Sequence, residues 1–126
     1  MEINQFYIAG KFVTPDGGEK IDLINPATEE KVGSVITGTE KDVNLAVDAA
    51  KAAFEDASSL TLDQKKIILQ EIIDGMESRR EEFAQVISQE MGAPIKVARG
   101  AQFSSGKVHF ANTLRVIDNF NFTETH

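Results

Sequence analysis

Cysteine is absent from these 126 residues. Its absence excludes disulfides, thiolate metal ligation and thiol catalysis by this stretch of chain, while leaving the redox compartment unassigned. Histidine is scarce: His109 and His126 are the only imidazoles, and without cysteine they cannot assemble a usual zinc ligand set. Three prolines and no biased tract leave no low-complexity linker. No apolar run reaches the length a bilayer requires, and "MEINQFYIAG" lacks the basic lead and long apolar stretch of a secretory signal. A soluble cytoplasmic protein is the simplest inference. The sequon Asn121-Phe122-Thr123 matters only after secretion and is read as chance.

Positive charge is also in short supply. Thirteen basic residues against twenty acidic ones give a formal charge of −7, a field that repels nucleic-acid backbones and anionic membrane surfaces. The densest basic patch, Arg79-Arg80, is followed at once by Glu81-Glu82. Neither a nucleic acid nor a membrane is therefore expected as a partner. What is present is ordinary for a globular protein: 41% apolar and 26% charged residues, at a length that fits one compact unit.

The β signals come first. "QFYIAGKFV" and "EKIDLIN" are rich in β-branched and aromatic residues, and the intervening "TPDGG" suits a tight turn, so the two are expected to pair as a hairpin. "INPATEEKVGSV" reads as strand, turn and strand, with the turn at residues 25–30 and a further strand at 32–37. All strands are expected within 6–37 and helices within 40–120. Thr39 with Asp42 forms a variant capping box, after which Val43, Ala46, Val47, Ala50 and Phe54 share one face. Thr61 with Gln64 gives a stronger box, followed by the stripe Ile68, Leu69, Ile72, Ile73 and Met76. Ser78 with Glu81 repeats the pattern and predicts a kink or a new helix there. Gly92 suits a left-handed cap, and Pro94 stops continuation. The spacing of Val97, Ala101, Ser104, Val108, Ala111 and Leu114 then predicts a fourth helix, weakened by Gly100 and Gly106.

Candidate chemistry is sparse. "GAQFSSGKV" ends in Gly-Lys like a phosphate-binding loop, but five residues separate Gly100 from Gly106 where four are needed, and Val108 stands where a magnesium-binding hydroxyl belongs. A small-residue helix face is the better reading. Ser105 lies one helical turn before His109, yet no orienting acid or oxyanion donor accompanies them. "ESRREEF" reads as a solvated helix side, and Glu71, Asp74 and Glu77 as carboxylates facing water. Glu90 is less easily set aside. It stands at a helix end just before Gly92, where a negative charge opposes the helix dipole, so a cation or a cationic side chain is expected to compensate it.

Four motifs in order resemble the amino-terminal portion of the aldehyde dehydrogenase family: Tyr7 to Phe12 in "YIAGKF", Asn25 to Thr28 in "NPAT", Asp42 to Ala50 in "DVNLAVDAA", and Glu90 to Pro94 in "EMGAP". The resemblance implies an α/β parent fold, represented here by strand hairpins followed by about four helices. Residues 1–126 then form an N-terminal segment of the dinucleotide-binding region. The family oxidises an aldehyde to an acid with NAD or NADP, through a cysteine thiohemiacetal whose hydride passes to the cofactor. The catalytic cysteine, the general-base glutamate, the cofactor-binding loops and the oligomerisation arm are expected beyond His126, so this piece alone is expected to be inert.

By position, the resemblance also implies a monovalent cation site, for K+ or Na+, from the main-chain carbonyls of Leu23 and Ile24 and the side chain of Glu90. It further implies a substrate-tunnel wall at Ala101 and Ser105, one turn apart on a helix. The implied partners are an aldehyde, the remainder of the same polypeptide, and further copies in a dimer or tetramer. Ala93 in place of the common lysine, Phe12 in place of the frequent tryptophan, and "HFANTL" near the tunnel mouth depart from the pattern and leave the substrate open. The competing reading is a stand-alone acidic helical interaction module without catalysis.

Overall fold

The structure, a computed structural model, describes residues 1–122. In chain order it contains β1 (Glu2–Ile3), β2 (Phe6–Ile8), β3 (Lys11–Val13), β4 (Lys20–Ile24), β5 (Lys31–Ile36), α1 (Glu40–Ser59), α2 (Leu62–Ser78), α3 (Arg80–Met91), α4 (Ile95–Val97), a π-helical turn (Ala98–Gln102), α5 (Phe103–Val116) and a final 3-10 turn (Ile117–Asn119). Strands precede helices, as the change of hydrophobic period predicts. The chain parts into two compact units rather than the single one its length suggests: residues 1–60 with 90–92, and 61–89 with 93–126.

In the first unit, β5 is the middle strand of a three-stranded sheet ordered β1-β5-β4, parallel to β1 and antiparallel to β4. Ser34 on β5 is fully buried, and its hydroxyl donates to Glu2 Oε2 at 2.6 Å. That bond, followed by the Lys20 ammonium at 3.0 Å, holds the Glu2 carboxyl below its ordinary pKa. β1 is only two residues long, too short to leave a period in the sequence.

The expected pairing of "QFYIAGKFV" with "EKIDLIN" is not formed. β2 instead turns back on β3 within the first segment, with Ile8 opposite Lys11. Ala9 at φ 52° and Gly10 at φ 79° are the two central residues, so the loop is a two-residue turn needing positive φ at both positions. Alanine rarely occupies that region, and so Gly10 alone marks the turn in the sequence. The turn sets Tyr7 against Phe12 across the strands, with ring centroids 5.2 Å apart.

α1 begins as its box predicts. Thr39 accepts from the Asp42 amide, and Asp42 Oδ2 accepts from the Thr39 amide at 2.8 Å and the Thr39 hydroxyl at 2.7 Å. Asp42 Oδ1 also accepts from the Asp16 amide, tying the preceding loop to the helix start. These donors, Thr39 foremost, keep the buried Asp42 carboxyl below its usual range. The apolar face of α1 is open: Val43 is 58% and Phe54 70% exposed.

In the second unit, α2 starts on the Thr61–Gln64 box, with both reciprocal bonds present, and packs on α5. Of its apolar stripe, Leu69, Ile73 and Met76 are half-buried, whereas Ile68 and Ile72 remain exposed. A new helix does begin near Ser78, but not by the expected cap. Ser78 is the last residue of α2 and its hydroxyl donates to the Gly75 carbonyl, while Arg79 makes the break at φ −111°. Glu81, freed from capping, is gripped by Arg99 at 2.8 and 2.7 Å. Ala84, Ala98, Phe103 and Ile117 are the buried apolar side chains, and the Phe83 and Phe103 rings lie 5.9 Å apart.

Arg99 lowers the Glu81 pKa from its ordinary value to about 2, with Gln85 assisting. A carboxylate depressed on folding adds stability that is complete above its unfolded pKa of about 4.3 and is lost as pH falls through the folded value. Unfolding midpoints measured between pH 5 and pH 2 should therefore fall more steeply in the wild type than in Glu81→Gln. Because the pair is largely exposed, added salt should shrink the difference.

Candidate functional site

The loop joining β4 to β5 is built by its own polar groups. Pro26 fixes one φ of the turn, the Asn25 side chain accepts from the Ala27 amide at 2.8 Å, and the Asn25 carbonyl accepts from the Glu29 amide at 2.8 Å. The Asn25 amide closes the loop by donating to the Glu30 carbonyl at 2.9 Å. Glu29 takes up φ 61° to complete it. Just before the loop, the register of the β4–β5 ladder shifts between Leu23 and Ile24. Such a bulge interrupts regular carbonyl pairing and redirects the backbone. It falls at the two residues whose carbonyls the family resemblance points to.

α3 ends at Met91, and Gly92 follows at φ 66°, the left-handed cap that was expected. This turn lies on the β4–β5 loop: a Cβ placed on Gly92 would stand 2.9 Å from Pro26 Cγ and 3.0 Å from the Ala27 amide nitrogen. Glycine is thus required twice, by its backbone angle and by the closeness of the neighbouring loop. Glu90, exposed, stands two residues before it. Leu23, Ile24 and Glu90 accordingly belong to one compact unit, on two segments that touch at Gly92. Two carbonyls and a carboxylate are hard oxygen donors, suited to a hard cation. Among the described residues, no group of three or more His, Asp or Glu side chains is arranged to hold a metal ion. A site here would therefore draw on main-chain oxygen.

Ala101 and Ser105 lie in the other unit. Ala101 is inside the π-turn and Ser105 is in the first turns of α5; both are exposed, while Phe103 between them is 2% exposed. "GAQFSSGKV" is helical throughout, in keeping with a small-residue helix face. Glu71, Asp74 and Glu77 do not act together: Asp74 accepts from Gln70, and Glu77 binds Arg80 and Lys107, which hold its pKa low in that order.

"ESRREEF" is only partly the solvated side it was read as. Arg79 pairs with Glu82 in solvent, but Arg80 is half-buried, forked onto Glu77 at 2.9 and 3.2 Å, with its guanidinium carbon 4.7 Å from the Phe103 ring centre. Helical spacing carries no trace of that contact, because Phe103 lies on a distant helix.

Short strands around an Asn-Pro turn, a capped alanine-rich helix, and an acidic helix end closed by Gly-x-Pro make up an α/β segment. The chain belongs to the aldehyde dehydrogenase family, whose model matches residues 12–124. It is 38% identical to 3-succinoylsemialdehyde-pyridine dehydrogenase from a Pseudomonas species over 125 residues, covering 98% of this chain and 26% of that protein. Among solved structures, aldehyde dehydrogenase from Bartonella henselae superposes with a TM-score of 0.94 at 31% identity, over 99% of this chain and 26% of that one. A mutant of aldehyde dehydrogenase C from Pseudomonas syringae, complexed with NAD+ and octanal, gives 0.91 at 35% identity, over 98% and 25%. The chain thus spans about a quarter of the length of the relatives it matches.

Gly92→Ala should destabilise the protein by about 1–2 kcal/mol from the left-handed backbone alone, with more from the overlap with Pro26 and Ala27. The denaturant midpoint measures it. An unchanged midpoint would show that the two turns are not in fixed contact.

Proposed function

We propose that these residues are the amino-terminal scaffold of an NAD(P)-dependent aldehyde dehydrogenase that oxidises an aldehyde to a carboxylic acid. The observation that carries the reading is the pairing of near-complete coverage of this chain with quarter coverage of its relatives. The open apolar faces support it. Phe54, Val43 and Tyr7 are each more than half exposed, and covering such side chains is worth about 1.5–3 kcal/mol apiece. The rest of a longer polypeptide supplies that cover, as do further copies in a dimer or tetramer. Among the described residues, no helix is long and apolar enough to cross a membrane.

With no cysteine present, the thiolate step falls to residues outside this segment. NAD(P), when bound, accepts the hydride; the contribution of this stretch is positional. The register shift opposite Leu23 and Ile24, where Val32 of β5 is the extra residue, and the Gly92 turn hold the Leu23 and Ile24 carbonyls and Glu90 around a monovalent cation, K+ or Na+, which also offsets the carboxylate's conflict with the α3 dipole. Ala101 and Ser105 form a wall of small residues beside the aldehyde's path.

The full-length gene product, assayed with a panel of aldehydes, should reduce NAD or NADP; no turnover with either cofactor would remove the reading. Potassium should raise the thermal midpoint of the parent and not that of Glu90→Ala. An equal response in both would discard the cation site. Ser105→Phe should raise KM for bulky aldehydes about tenfold while sparing small ones.

A further inference from the structure

The helix running from Ile95 to Val116 is interrupted by the π-turn Ala98–Gln102, where the Phe103 amide donates back to the Ala98 carbonyl. A turn closed from i to i+5 holds one residue more than an α-turn and breaks the regular ladder, leaving a carbonyl in need of another donor. Arg80 supplies one. Its Nη1 donates to the Arg99 carbonyl at 3.4 Å, long for a hydrogen bond but made by a cation. The same guanidinium lies over the Phe103 ring and forks onto Glu77, which Lys107 of α5 also holds at 2.7 Å. From the other side, Arg99 is pinned to Glu81 through two bonds. The π-turn is therefore clasped at its backbone, at the buried aromatic that follows it, and at its own arginine side chain.

We propose that Arg80 is a positioning residue that holds this π-turn and thereby sets which way the Ala101–Ser105 face points, fixing the aldehyde size the enzyme accepts. The inference rests on the tunnel-wall reading given above. Its mechanism is rotational. One residue corresponds to about 100° of helix rotation, so relaxation of the π-turn into regular α-helix turns Ser105 and everything after it by that amount relative to Ile95. A lysine cannot substitute, because a single ammonium does not reach carboxylate, carbonyl and ring face together in the manner of a planar fork.

The test uses the full-length enzyme with Arg80→Met and Arg80→Lys, and Ser105→Phe as reference. Both Arg80 variants should lower the ratio of kcat/KM for a bulky over a small aldehyde by about tenfold, the scale of a pocket change of one or two methylenes. Amide exchange at Phe103 and Ser104 should accelerate with them. If Arg80→Met fails to fold, Glu77→Gln, which loosens the fork without removing it, should shift the ratio in the same direction. Should Ser105→Phe alter size preference while the Arg80 and Glu77 variants leave ratio and exchange unchanged, the clasp is refuted and the tunnel wall stands. Should Ser105→Phe itself have no effect, the wall is refuted, and the role of Arg80 in selectivity with it.

Discussion

Scarcity of buried apolar surface is the constraint under which the rest of this chain is organised. Among the described residues, Ala84, Ala98, Phe103 and Ile117 are the apolar side chains that reach full burial, and three large β-branched or aromatic residues of α1 lie open. Packing alone therefore specifies little. The burden shifts to polar chemistry acting over a few residues: two reciprocal capping boxes, an Asx-stabilised loop at Asn25, a left-handed glycine at 92, and ion pairs at the α2–α3 break. Each contributes modestly, against the entropy of ordering the residues it fixes. Such a segment takes its shape locally.

Charge follows the same logic. The acidic excess is not spread as a uniform field, because three arginines are placed where a helix break or a widened turn brings backbone and carboxylate together. Arg79 caps one helix and pairs with Glu82, Arg80 bridges Glu77 to the π-turn, and Arg99 returns to Glu81. Exposed pairs of this sort add little free energy singly. Their value is directional: a fork on a carboxylate has one geometry, and several forks around one turn leave it few ways to rewind.

Whatever depended on near neighbours was legible in the sequence. The boxes at Thr39 and Thr61, the loop at residues 25–30 and the cap at Gly92 are written in side-chain chemistry within four residues of the backbone they serve, and the structure places them where the spacing predicts. The misreadings share a cause. The β2–β3 turn puts an alanine at positive φ beside Gly10, which leaves only half of the usual turn signal to recognise. The Ser78–Glu81 pattern is a sound box in isolation, but Arg99, far along the chain, competes for Glu81 and wins with two charge-assisted bonds. As for the candidate sites, spacing and resemblance fix which residues stand near a turn or on a helix face. That Leu23 and Ile24 straddle a bulge depends on strand register, which emerges only when β5 is paired.

The π-turn is the extreme case, since nothing in "ARGAQF" demands five residues where a helix takes four. Small side chains at Ala98, Gly100 and Ala101 permit the wider turn, and a Cβ on Gly100 would meet nothing within 4 Å. Permission is not selection. What selects it is Arg80 on the turn's backbone, Glu81 on the turn's own Arg99, and the burial of Phe103 just beyond it. A substitution on the Ala101–Ser105 face alters one side chain, whereas the winding of the preceding turn governs the direction of the whole helix from Phe103 to Val116 by about 100° per residue gained or lost. On a face made of small residues the second effect is the larger, because alanine and serine have little bulk to vary and the backbone beneath them decides which surface is offered.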